Sequence, residues 1–135
     1  MFILRKILSS GSNVPEPCRM PCTAGVAYTI GSALVITAGA LTNATATDKP
    51  QYIALESAAA DTKSDLLCYP VKPDMIFETK IGGNPAGAKL GAKVILALTN
   101  GAATRVGIST TDGVATIIDK SGAKRVGDSV FVRFE

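Results

Sequence analysis

The side chains in this sequence best suited to chemistry are three cysteines, two of them in "CRMPC" at 18 to 22 and the third at position 68. Cys18 and Cys22 form a C-x3-C that offers two thiolates, whereas a structural zinc site wants four ligands. Cys68 brings a third sulfur, and the chain has no histidine to bring a fourth donor. The expectation is therefore ordinary reduced cysteines and no metal. Cys18 and Cys22 could pair if oxidised, although Pro21 between them and a reducing compartment count against it.

The missing histidine also removes the commonest general base. No G-x-S-x-G elbow, S-x-x-K pair or phosphate-binding loop motif is present, so hydrolase chemistry is not expected and the chain reads as a non-enzyme without a cofactor. Glu56, Asp61 and Asp65 share the segment "ESAAADTKSD" at 56 to 65. A calcium loop wants oxygens at motif spacing around a turn glycine, and this segment has no glycine and includes Lys63. It reads as a solvated loop or a single helical turn. "GGNPAGAKLG" at 82 to 91 holds four glycines in a spacing unlike a phosphate cradle, and reads as a flexible β-connection.

With no catalytic set to position, the pattern of the chain becomes the informative feature. "GSALVITAGALTNAT", "GAKVILALTNGAAT" and "GDSVFVRFE" repeat one phrase from Gly31, Gly91 and Gly127. The residue before each glycine is Ile30, Leu90 or Val126; three beyond it stand Leu34, Val94 and Val130; five beyond, Ile36, Leu96 and Val132. All nine are aliphatic and share one parity, which predicts three strands sending these side chains into one interior. Val35, Ile95 and Phe131 occupy the opposite parity, which implies that the second face is covered as well, by a second layer or by a docked segment, with an intermolecular patch as the alternative.

Further β-branched or alternating runs lie at "QYIAL" 51–55, "LLCYPV" 66–71, "MIFETK" 75–80, "TRVGIST" 104–110 and "VATIID" 114–119, separated by "TNG", "TDG" and "KSG" turns. The predicted fold is all-β, a small barrel or sandwich of about eight short strands. Ahead of it, residues 1–10 read as an apolar N-terminal arm and "NVPEPCRMPC" as a Pro-rich extended connector. The expected division is an arm and connector over 1–22 and a single β domain over 23–135.

At 135 residues one domain is the prior, with enough length for a core that needs no staples. Hydrophobic residues are 47% against 19% charged, so the chain should fold. The net charge of +3 comes without any block of five like charges, and aromatics are 5% with no tryptophan. Nucleic acid and sugar ligands are thus less expected. "MFILRKILSS" lacks the uninterrupted apolar run of a secretory signal and no stretch is long enough to span a bilayer, so synthesis in a cytoplasm is expected.

The order of phrases carries one resemblance. A glycine-led strand with "AGALT", then "TDKPQYIALESAAAD", "YPVKPDMIFET", a second glycine-led strand, "TTDGVAT" and a final "GDSVFVRF" resembles the head decoration, or capsid cement, proteins of tailed bacteriophages, over residues 23–135. The resemblance implies a virion protein on the capsid exterior that reinforces the expanded head against its packaged DNA. Its partner would be the major capsid protein, with further contacts to its own copies, and neither nucleic acid nor membrane would be bound directly. Phe2, Ile3, Leu4 and Ile7 of the arm are the expected contacts with shell or neighbour, by strand addition at an exposed edge. The plainer alternative is that the arm packs on its own barrel.

Two other readings compete. A tail or head-completion protein also uses small β folds. A lipoyl- or biotinyl-type carrier would present a modifiable lysine at a hairpin tip, for which Lys49 and Lys120 follow aspartates but lack the surrounding signature.

Overall fold

The structure is a computed structural model that describes residues 1–120 and 122–135. Its strands, in chain order, are β1 (Ile3–Ile7), β2 (Cys18–Pro21), β3 (Ala33–Thr37), β4 (Ala40–Asn43), β5 (Tyr52–Ala54), β6 (Asp65–Pro70), β7 (Met75–Lys80), β8 (Lys93–Val94), β9 (Leu96–Thr99), β10 (Ala102–Val106), β11 (Ala115–Asp119) and β12 (Ser129–Arg133), with one 3-10 turn at Pro85–Gly87. They form two antiparallel sheets. The first has the order β1-β7-β12-β11-β8; the second runs β2-β6-β5-β3-β10-β9, with β4 also paired to β3. The sheets pack as a sandwich and do not close into a barrel.

Turn chemistry explains why more strands form than the eight foreseen. Asn100 and Gly101 sit at φ 50° and 80°, the paired positive values of a two-residue hairpin, and they join β9 to β10 as the "TNG" signal implies. Ala38 and Gly39 repeat that geometry at 51° and 83° and join β3 to β4. Alanine seldom occupies a left-handed position, so "AGALT" does not advertise its hairpin. The strand expected to follow Gly91 is divided at Ile95: Lys93 and Val94 pair in the first sheet, and Leu96 onward pairs in the second. There the Gly107 N–H reaches the Ile95 carbonyl at 2.8 Å, and a Cβ on Gly107 would lie 3.1 Å from the Ile95 side chain.

The main core lies between the sheets. Phe77 and Phe134 are fully buried with ring centroids 5.3 Å apart, Phe2 meets Phe134 edge-on at 5.4 Å, and Tyr69 stacks on Phe77 at 6.4 Å. Around them pack Ile81, Val94, Leu96, Val106, Ile117, Val130 and Val132. A smaller cluster occupies the other face of the second sheet, with Leu34, Leu41, Leu66 and Cys68 under Tyr28. The Tyr28 hydroxyl donates to the Leu41 carbonyl at 2.7 Å and accepts from the Thr23 N–H at 2.8 Å, pinning the covering segment.

Two expectations are thereby corrected. The nine aliphatic side chains do not share one interior: Val94, Leu96, Val130 and Val132 enter the main core, Leu34 and Ile36 the smaller cluster, and Ile30, Leu90 and Val126 the solvent. Nor are residues 1–22 an arm and connector outside the β body. β1 is an edge strand of the first sheet, paired to β7, and β2 is an edge strand of the second, paired to β6. Phe2, with 2% of its surface exposed, drives this by inserting its ring into the aromatic core, which a free arm would leave in water.

Candidate docking surface

Each of the three glycine phrases enters its strand through the same turn. The Ser32 N–H returns to the Thr29 carbonyl at 3.1 Å, Ala92 to Lys89 at 3.1 Å and Asp128 to Arg125 at 3.2 Å. The third turn residue is Gly31, Gly91 or Gly127, at φ 74°, 79° and 90°, the value a type II turn requires there. Each glycine N–H then donates, at 2.8 Å in all three cases, to a carbonyl of adjacent chain: that of Ala54, Ile117 and Ile81. Parity breaks at this point. A left-handed residue reverses the direction of the chain, so the side chain before it points outward instead of continuing the strand's alternation.

Ile30, Leu90 and Val126 therefore stand at the turn tips, 44%, 63% and 59% exposed. Type II geometry asks for no aliphatic residue at this position, where proline is the common choice. The tips gather at one end of the sandwich. β12 is antiparallel to β7, and β7 to β1, so β12 runs with β1; β8 does likewise through β11. The turns leading into β8 and β12 thus share an end with Met1 and Phe2. The Phe2 N–H donates to the Gly31 carbonyl at 2.8 Å, which brings the third turn to that end.

The same end is basic. An open concavity of about 950 Å3 lies there, lined by Lys80, Lys120, Lys124 and Arg125 against Asp119 and Asp128, with the half-buried Phe131 in its wall. Its excess of two cations accounts for most of the net +3 of the chain. Asp128 is partly neutralised internally: it accepts from the Lys124 and Arg125 N–H groups at 2.9 and 3.1 Å, which hold its carboxyl below the usual range. The Lys120 ammonium donates to the Pro85 carbonyl at 2.7 Å and to the Ala88 carbonyl, so this lysine braces the 3-10 turn. Lys49, its counterpart in the carrier reading, is exposed in the loop between β4 and β5.

Arg105 has its Nε buried with no hydrogen-bond partner among the described residues. The Met1 amino group, which donates to the Thr104 carbonyl, is held below its ordinary pKa first by partial burial and then by the charges of Arg105 and Lys80. Those two cations thus act on a common point, and among the described residues neither makes an ion pair. Met1 also lines an apolar groove of about 240 Å3 between β1 and β5, together with Phe2, Leu4, Ile30, Ile53 and Tyr69.

The four expected contact residues divide accordingly. Phe2 and Leu4 belong to the main core, 2% and 8% exposed, and show only their edges in the groove. A bulge between Leu4 and Lys6 turns both Arg5 and Lys6 outward and returns Ile7, half-buried, to the core. Ile3 alone faces solvent. The plainer alternative, an arm packed on its own body, describes this strand.

Among the described residues no three His, Cys, Asp or Glu side chains gather as a metal site. Glu56 accepts from the Leu67 N–H at 2.9 Å and pairs with Lys63 at 2.7 Å, and Asp61 accepts from the Gly25 N–H at 2.8 Å. These acids tie the loop to the strands around it. Among the described residues, no helix is long and apolar enough to cross a membrane. No protein-family model matches the chain, and no curated protein matches it.

Proposed function

We propose that this chain is a structural virion protein of the head-decoration type, adhering to the outside of an expanded tailed-phage capsid through the basic, aliphatic-tipped end of its sandwich. The observation that carries the reading is the threefold use of one turn to hold Ile30, Leu90 and Val126 outward at a single end. Exposed aliphatic tips on rigid turns lose little entropy when they are covered, and the cations at that end favour an acidic protein surface over random apolar contact. The order of phrases that resembles decoration proteins supplies the identity of that surface, the major capsid protein. Decoration would act by linkage: a protein that binds only the expanded lattice stabilises it in proportion to occupancy, and many modest contacts suffice.

The test is co-sedimentation of the purified chain with undecorated expanded heads and with unexpanded procapsids. Binding to expanded heads that weakens at least tenfold in the Lys124→Glu/Arg125→Glu double variant, and weakens again as salt rises, is the expected result. Binding to neither particle removes the reading. Binding that survives the double variant and Leu90→Ser keeps the function and discards the surface.

A further inference from the structure

The three cysteines hold a relation that their spacing in sequence hides. Cys18 and Cys68 are direct partners in the β2–β6 ladder, with their sulfurs 3.8 Å apart. The Cys22 N–H donates to the Ser64 carbonyl at 2.9 Å, so that pair is hydrogen-bonded, and the alternation of an antiparallel ladder makes Cys18–Cys68, four residues along, hydrogen-bonded too. Such pairs hold their Cα atoms about 5.5 Å apart, inside the range a disulfide spans. Cys22, just past the end of β2, stands four residues from Cys18 along extended chain, about 13 Å away, out of reach of both other thiols.

We propose that Cys18 and Cys68 form a disulfide that locks edge strand β2 to β6, with Cys22 remaining free. Cys18 is half-exposed on the edge strand and meets the oxidant, a low-molecular-weight disulfide such as oxidised glutathione; Cys68 is fully buried. The Cys18 thiolate attacks one sulfur of that disulfide and expels one small thiolate, forming a mixed disulfide. Cys68 then gives up its proton, its sulfur attacks Cys18 Sγ, and the second small thiolate leaves and takes a proton. Two protein thiols are oxidised by two electrons while one small disulfide becomes two small thiols. Burial and the neighbouring Cys18 push the Cys68 thiol up to about 12, which makes the second step the slow one.

The bond itself rests on geometry alone, and only its timing rests on the virion reading: reduced where the chain is synthesised, closed once particles leave that compartment. The experiment treats the purified full chain with oxidised glutathione, blocks the remaining thiols with N-ethylmaleimide and maps the peptides. A Cys18–Cys68 link with one maleimide on Cys22 is expected, together with a rise in Tm of about 5–15 °C that dithiothreitol reverses, since the closed loop holds about 50 residues. Cys22→Ser should keep both signals and Cys18→Ala should lose both. Any link involving Cys22, a stable glutathione adduct at Cys18, or three blocked thiols after prolonged oxidation overturns the proposal. If the link forms but the chain ignores expanded heads, the bond stands and the virion reading falls.

Discussion

β1 and β2 make an instructive pair. Each is a short strand from the first 21 residues, each lies at the edge of a sheet, and each is joined to a single neighbour. Their anchors differ. β1 has Phe2 beside it in an aromatic cluster and Leu4 in the main core. β2 sends Cys18 and Met20, both half-buried, toward the smaller cluster, while Arg19 on its outer side pairs with Asp65 at 3.1 Å. Large apolar area fixes the first edge; the second has small, soft side chains and two thiols within reach. An edge strand needs some such anchor, because its unpaired backbone groups otherwise favour fraying.

The contrast is broken most directly by truncating the anchors. Phe2→Ala should cost about 3–5 kcal/mol in chemical denaturation, the range for removing a buried aromatic ring. Met20→Ala should cost about 1 kcal/mol, because its site is half-open. Equal losses at the two positions would refute the asymmetry. A smaller effect of opposite sign is expected at the β3–β4 hairpin: Ala38→Gly relieves a left-handed alanine and should stabilise by a few tenths to about 1 kcal/mol, read as a rise in the denaturation midpoint.

The smallest expected effect concerns the outer side of β1, where Arg5 and Glu78 pair at 2.7 Å. The hydrogen bond from Arg5 holds the Glu78 carboxyl below its ordinary 4.5. A carboxyl whose pKa is lower in the folded state contributes stability above its unfolded pKa, and that contribution is lost as pH falls through the folded value. The pair should therefore add no more than about 1 kcal/mol at neutral pH and nothing in strong acid. Stability curves of the wild type and Glu78→Gln should converge as pH falls below the ordinary carboxylate range. Parallel curves would show the pair to be silent.

Much of the architecture was legible in the chain. Alternation marked β5, β6, β7, β11 and β12, the "TNG" signal marked its hairpin, and the glycine that opens each repeated phrase falls where the backbone takes a positive φ before its strand. The candidate surface was less legible. Ile30, Leu90 and Val126 share the parity of core residues, and only the hydrogen-bonded turn around each glycine reveals that they face outward. Phe2 and Leu4 stood out as apolar residues needing cover, but nothing local distinguishes cover by a partner from cover by β7.

What the sequence determined by itself is therefore local: the strand period, the glycine turns, the all-β class and the want of an imidazole, each set by residue types acting on their immediate backbone. Which cysteines meet, which faces of the second sheet are both buried, and which end of the sandwich collects charge and aliphatic tips were decided by tertiary structure alone. Those properties depend on pairing between strands as far apart as residues 18 and 68, and the register of such pairing is chosen by the whole core at once.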